Sequence, residues 1–167
     1  MRTVLAVSLL AMALAGCGFR LAGVSTWPVD IWPGYRLQSQ LAGIDGEDFS
    51  AAVRAQLELS GVSRLAQPRA TLVLQSLEQR KIVSALDARG QAAEFELQGR
   101  LRFRVDAGGR SSPLLQVVAQ RRLSFDPSVA LAKQQEEAQI EAALRRELIE
   151  LLLLRVEAEL RGISPES

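Results

Sequence analysis

From residue 91 to residue 105 the chain alternates between apolar and polar side chains. Phe95, Leu97, Leu101, Phe103 and Val105 fall on one side, and Glu94, Glu96, Gln98, Arg100, Arg102 and Arg104 on the other. Period two over this length predicts a half-buried antiparallel strand, with Gly99 interrupting its apolar face. Residues 70–85 begin the same way, with Leu72 and Leu74 on one face, but the pattern loses phase between Ser76 and Lys81. A loss of phase inside a strand predicts a bulge or a strong twist. Residues 114–125 return as a third strand after a Gly-Gly turn, and residues 35–42 alternate weakly enough to form a first strand. Two hairpins follow, with tips at Asp87-Ala88-Arg89-Gly90 and Ala107-Gly108-Gly109-Arg110, where glycine supplies the positive φ of a tight reversal.

Helical spacing appears twice. Over residues 48–60, Phe49, Ala52, Val53 and Leu57 share a stripe and Gly61 stands just past the end, which predicts a helix packed on the sheet. Arg54 and Glu58, four apart, suit a solvated face of that helix. A longer helix starts at Asp126-Pro127, an N-cap residue followed by a proline whose missing N–H costs little in a first turn. It runs to Arg161 and ends at Gly162. Ile140, Leu144, Leu148, Leu151, Leu152 and Val156 make its apolar stripe, while Glu136, Glu137, Arg145 and Arg146 lie outside it. The run from Leu151 to Leu154 is apolar nearly all round, which fits deep burial within the domain, the commoner case, or contact with another protein. The order β-α-β-β-β-α predicts an α+β fold, a two-layer sandwich in which two helices cover one face of a small, mostly antiparallel four-stranded sheet. The charged row of the middle strand would line the opposite face.

Ahead of this domain, Arg2 precedes an apolar run from Val4 to Leu14, a secretory signal too short to span a bilayer. It ends in Leu14-Ala15-Gly16-Cys17, which resembles the lipobox of bacterial lipoproteins. Small residues before the cysteine admit the peptidase, and the thiol takes the lipid. Cys17 is the only cysteine, so no internal disulfide is possible, and several acyl chains on one residue make a stable anchor. Gly18 is not the aspartate that retains such lipoproteins in the inner membrane, so the expected location is the outer membrane, lipid-anchored on its periplasmic face. The expected division is a signal over residues 1–16, a lipidated extended tether over 17–34, one domain over 35–162 and a short tail over 163–167. Trp27 and Trp32 in the tether have three open places: a lipid interface, a partner or the domain itself.

Charge adds exclusions. The formal charge of +1 comes from twenty basic and nineteen acidic residues; the signal carries one base and no acid, so the remainder is neutral and attracts no nucleic acid as a whole. Eighteen of the twenty basic residues are arginine, with Lys81 and Lys133 the exceptions. We read that bias as a GC-rich genome. Histidine is absent, which removes the commonest general base and metal ligand. No Gly-rich phosphate loop, zinc spacing or nucleophile elbow occurs. Glu94 and Glu96 could serve a hydrolase in principle, but such pairs usually just solubilise a sheet. The expectation is a protein that is not an enzyme, with no metal and no cofactor beyond the covalent lipid on Cys17.

Several segments resemble the LPS-assembly lipoproteins, the LptE family. They are Cys17-Gly18-Phe19-Arg20-Leu21, Arg89-Gly90-Gln91-Ala92-Ala93-Glu94-Phe95, Leu101-Arg102-Phe103-Arg104, and Phe125-Asp126-Pro127 followed by Ala130-Leu131-Ala132-Lys133-Gln134-Gln135-Glu136. The resemblance covers the mature domain in order; the stretch from Trp27 to Pro33 has no match in it, and the long polar tail of some members is missing. It implies a non-catalytic subunit of the lipopolysaccharide translocon that plugs and helps assemble an LptD-type outer-membrane β-barrel and contacts lipopolysaccharide during transfer. Arg89 and Lys133 match the family's basic positions and are the candidate lipopolysaccharide contacts. Arg100, Arg102 and Arg104, with Arg121 or Arg122 across the sheet, are candidate partner contacts. The alternative is a periplasm-facing lipid-binding or transporter-auxiliary lipoprotein of another pathway.

Overall fold

The computed structural model describes residues 32, 34–65, 67–125 and 130–163. In chain order the elements are β1 (Gly34–Ser39), α1 (Gly43–Leu59), β2 (Ser63–Arg64), β3 (Ala70–Leu86), β4 (Ala92–Ala107), β5 (Arg110–Ser111), β6 (Leu115–Ser124) and α2 (Ala130–Ile163). The class is the expected one, an α+β sandwich built on a mixed sheet. The alternating segment becomes β4, the centre of that sheet. It pairs antiparallel with β3 on one side and with β5 and β6 on the other. On the far side of β3 lies β1, parallel to it, with β2 beyond. A parallel partner requires a crossover, and α1 supplies it.

Two expectations need correction. Among the described residues the sheet has six strands rather than four, because the two-residue β2 and β5 add to it; two residues carry no period to detect. The return strand expected over residues 114–125 is β6, while β5 falls in the preceding segment expected as turn. Pro113, between them, has no N–H to give. Ser112 bridges the gap: its hydroxyl accepts the Val105 N–H at 3.0 Å and donates to the Pro113 carbonyl at 2.8 Å. The second correction concerns α1, which starts at Gly43 rather than Asp48. Its N-cap, Ala42, makes no side-chain cap hydrogen bond, and Gly43 and Gly46 carry low helix propensity. Gly46 is there for space, since a Cβ on it would come within 2.7 Å of the Leu41 Cβ. One turn on, the buried Ser50 hydroxyl donates to the Gly46 carbonyl at 2.7 Å.

The phase loss in β3 is a bulge. Its register against β4 shifts between Leu74 and Ser76, and again near Ala85. One inserted residue reverses the facing of everything after it. Leu72 and Leu74 therefore share the helix-covered face with Leu77, Gln79, Lys81 and Val83, the residues opposite Leu101, Gly99, Leu97 and Phe95.

One core joins the layers. Phe49, Val53 and Leu57 of α1 meet Leu72, Leu74, Leu101, Phe103 and Val105 of the sheet and Leu144, Leu148, Leu152 and Val156 of α2. Within the apolar run of α2, Leu152 and Leu153 are buried while Leu154 is exposed. Trp32, left open by the sequence, packs on the domain: it is 1% exposed and meets the buried Tyr35 edge-on at 6.1 Å. Burial, then the Glu58 carboxylate beside it, push the Tyr35 hydroxyl above its ordinary pKa, so it stays neutral. The Asp126-Pro127 start of the long helix, the signal segment, Trp27 and the tail after Ile163 lie outside the described residues.

Candidate functional site

Arg89 stands at the tip of the β3–β4 hairpin. Asp87 shapes that tip: its Oδ1 accepts the N–H groups of Arg89 and Gln91, each at 2.8 Å, and Gly90 follows at φ +78°. Only glycine takes that conformation without strain. The Asp87 carboxylate is thus committed to the backbone. The Arg89 side chain is exposed and has no ion-pair partner among the described residues. Leu86 and Ile82, just before the tip, are exposed as well.

Lys133 lies in the first turns of α2; its side chain is outside the described residues. The direction of α2 locates it nonetheless. Glu137 meets Lys81 of β3, Leu148 lies over Gly99 of β4, and Ile163 approaches Gly108. The helix therefore runs alongside β4 in the same direction, and its first turns belong to the Arg89 end of the domain. Lys133 precedes Glu137 by one turn, about 6 Å along the axis. Cys17, the third expected site residue, lies outside the described residues.

Arg100, Arg102 and Arg104 occupy the sheet face away from the helices, as the alternation predicts. They are not a bare cationic row. Glu78, opposite Arg100 on β3, lies 3.9 Å from the guanidinium groups of both Arg100 and Arg102 and 3.4 Å from that of Arg80. Arg104 pairs with Asp106 at 3.3 Å. Register also separates the two flanking arginines. Arg122 is opposite Glu96 on this open face, whereas Arg121, opposite Leu97, turns under α2 and reaches Glu147 at 2.7 Å. The face is a half-exposed lattice of alternating charge, and such pairs contribute little stability.

Sequence reasoning missed Lys81 as a site residue, noting it as one of two lysines and as the end of the phase loss. It sits on the helix-covered face, donates to Glu137, and holds its ammonium 4.7 Å from the centre of the Phe95 ring. Phe95 in turn meets Phe125 edge-on at 5.3 Å. The signal that could have found it is the phase break itself, once read as a one-residue insertion.

Among the described residues no group of three or more His, Cys, Asp or Glu could hold a metal ion, and no helix is long and apolar enough to cross a membrane. A cleft of about 430 Å³ opens where β1 ends, lined by Gln40, Leu41, Asp45, Gly46, Leu77 and Gln79; none of the expected site residues lines it.

Comparison with known proteins places this geometry. Rare lipoprotein B from Shewanella oneidensis has a similar structure, with a TM-score of 0.69 at 21% identity, covering 78% of this chain and 98% of that one. An uncharacterized lipoprotein B from Nitrosomonas europaea follows, at 0.65 and 18% identity over 75% of this chain and 82% of that one. A minor lipoprotein from Acinetobacter baumannii gives 0.59 at 15% identity over 75% and 91%. At these identities the likeness establishes the fold. No curated protein matches the sequence. The family model for LptE, described as lipopolysaccharide-assembly, matches residues 33–156, which take in the sheet, α1 and most of α2, and the chain belongs to that family.

Proposed function

We propose that this protein is a lipid-anchored subunit of the lipopolysaccharide translocon, held through Cys17 at the periplasmic face of the outer membrane. There it plugs and helps assemble an LptD-type β-barrel and contacts lipopolysaccharide as it passes to the outer leaflet. It catalyses no reaction and uses no cofactor beyond its own lipid. The observation that carries the reading is Arg89: an exposed guanidinium, unneutralised among the described residues, on a glycine-closed tip, at the same end of the domain as Lys133. Lipid A presents phosphates beside acyl chains. A guanidinium meets phosphate bidentately, and exposed Leu86 and Ile82 supply apolar surface next to it. The open sheet face with Arg100, Arg102 and Arg104 supports the plug, because a body inside a polar barrel lumen should present charge rather than apolar surface.

Stable co-purification with a large outer-membrane β-barrel from detergent extracts is the expected result. Recovery of the protein only as a monomer, with the barrel assembling normally in cells that lack it, overturns the reading. Combining Arg89→Glu with Lys133→Glu should weaken lipopolysaccharide binding by about tenfold or more, since two charge-assisted contacts become repulsive, while far-UV circular dichroism stays unchanged. Equal affinity of the double variant and the parent removes both residues from the contact.

A further inference from the structure

Lys81 occupies an unusual place. The other described residues of its row on β3, before and after it, are Leu77, Gln79 and Val83, and Leu97 stands opposite on β4. A lysine facing this layer must find a counter-charge, and Glu137 of α2 provides one. The pair is open to water, however: the two side chains are 37% and 28% exposed. A screened pair of this kind contributes little to stability, so a stronger anion can displace the carboxylate at small cost.

The surroundings specify which anion. The Lys81 ammonium lies over the Phe95 ring, Phe95 packs on Phe125, and both rings are only half-buried. Val83, next in the same row, is 51% exposed. Cation and apolar ledge therefore adjoin at the edge of the helix layer, beneath the first turns of α2. The lysines add a second observation. In a chain with eighteen arginines, Lys81 touches Glu137, and the other lysine, Lys133, precedes Glu137 by four residues in the same helix. An ammonium is a compact point charge with three donors, suited to phosphate without the planar fork of arginine.

We propose that Lys81, the Phe95–Phe125 pair and Val83 form a binding site for a phosphate group of lipopolysaccharide and the acyl carbons beside it. Glu137 is the resident counter-ion that the phosphate displaces. A phosphate monoester carries about −1.5 to −2 charges at neutral pH against −1 for the carboxylate, so the exchange favours the ligand. The inference rests on the lipopolysaccharide reading above and adds a residue and a gating anion to it.

The test uses the detergent-solubilised full chain and titrations with lipopolysaccharide, chemically dephosphorylated lipopolysaccharide and inorganic phosphate. Lys81→Gln should weaken lipopolysaccharide binding by about fivefold and leave the dephosphorylated form unaffected. Glu137→Gln should tighten lipopolysaccharide binding by about threefold, because it removes the competitor. That sign is diagnostic, since a bridge that merely clamps α2 to the sheet would make both variants weaker or leave both unchanged, and either result overturns the proposal. Inorganic phosphate that competes as well as lipopolysaccharide at matched ionic strength overturns the lipid assignment. Binding lost in Arg89→Glu/Lys133→Glu but intact in Lys81→Gln sinks this inference alone. A parent chain with no affinity for lipopolysaccharide sinks the functional reading as well.

Discussion

Phe103→Ala lowers the stability of the domain by about 3–5 kcal/mol. The ring is fully buried, opposite Leu74 on β3 and Leu115 on β6, in the cluster that both helices cover. Truncation loses the transfer free energy of the ring and leaves a cavity that three hydrogen-bonded strands cannot collapse to fill. A domain of this size holds about 5–15 kcal/mol in total, so the variant keeps only a fraction of its folded margin. Urea unfolding measures the loss as a lower midpoint at unchanged slope. Phe103→Leu, nearer in volume, should cost about 1.5 kcal/mol or less. A loss below about 1 kcal/mol for the alanine variant would contradict the central place of this ring.

Gly99→Val is expected to cost about 2–3 kcal/mol, through overpacking rather than a cavity. Gly99 interrupts the apolar row of β4 beneath Leu144 and Leu148 of α2. A Cβ there would lie 2.6 Å from Leu148 Cδ1 and 3.4 Å from Leu144 Cδ2. Its cross-strand neighbour on β6, Ala119, is small too. Leu148 fills the resulting hollow and is itself fully buried, so it has little room to yield. Leu148→Ala alone empties the hollow and costs about 2–5 kcal/mol. Combined, the two changes should cost about 1 kcal/mol less than their sum, because the valine occupies space that the leucine vacates. Denaturant unfolding of the four proteins decides it, and strict additivity would show that the close approach is not what glycine provides.

The same residue shows how far the sequence could be read. The alternation of residues 91–105 names Gly99 as a break in an apolar face, and the periodicity of α2 names Leu144 and Leu148 as facing inward. That the break and the leucines interlock needs the registration of helix against sheet. A similar limit applies to the start of α1. Gly43 and Gly46 carry low helix propensity, and nothing local shows that a glycine at position 46 is the only residue that lets Leu41 pack so close. Trp32 sits in a Trp-Pro stretch with no period, so only the Tyr35 ring against which it packs reveals it as core.

The candidate site divides along the same line. Arg89 was legible because hairpin tips are local: an aspartate, a glycine at positive φ and two flanking strands suffice. Arg100, Arg102 and Arg104 were legible as one face, but not the Glu78 carboxylate that lies among them. The choice between Arg121 and Arg122 was open, because adjacent residues on a strand point opposite ways and only pairing with β4 fixes which is which. Lys81 was hidden by the bulge.

The sequence by itself determined the element types, the α+β class, the two hairpin tips, the charged face of the middle strand and the family resemblance. Each of these depends on period, turn chemistry or residue order, which are properties of neighbours along the chain. The tertiary structure alone decided the facing of β3 beyond Ser76, the pairing of Lys81 with Glu137, the burial of Trp32 and the fit of Leu148 over Gly99. One inserted residue in a strand reverses every side chain after it, and where that residue is absorbed depends on the hydrogen bonds of the neighbouring strand, not on the residue itself.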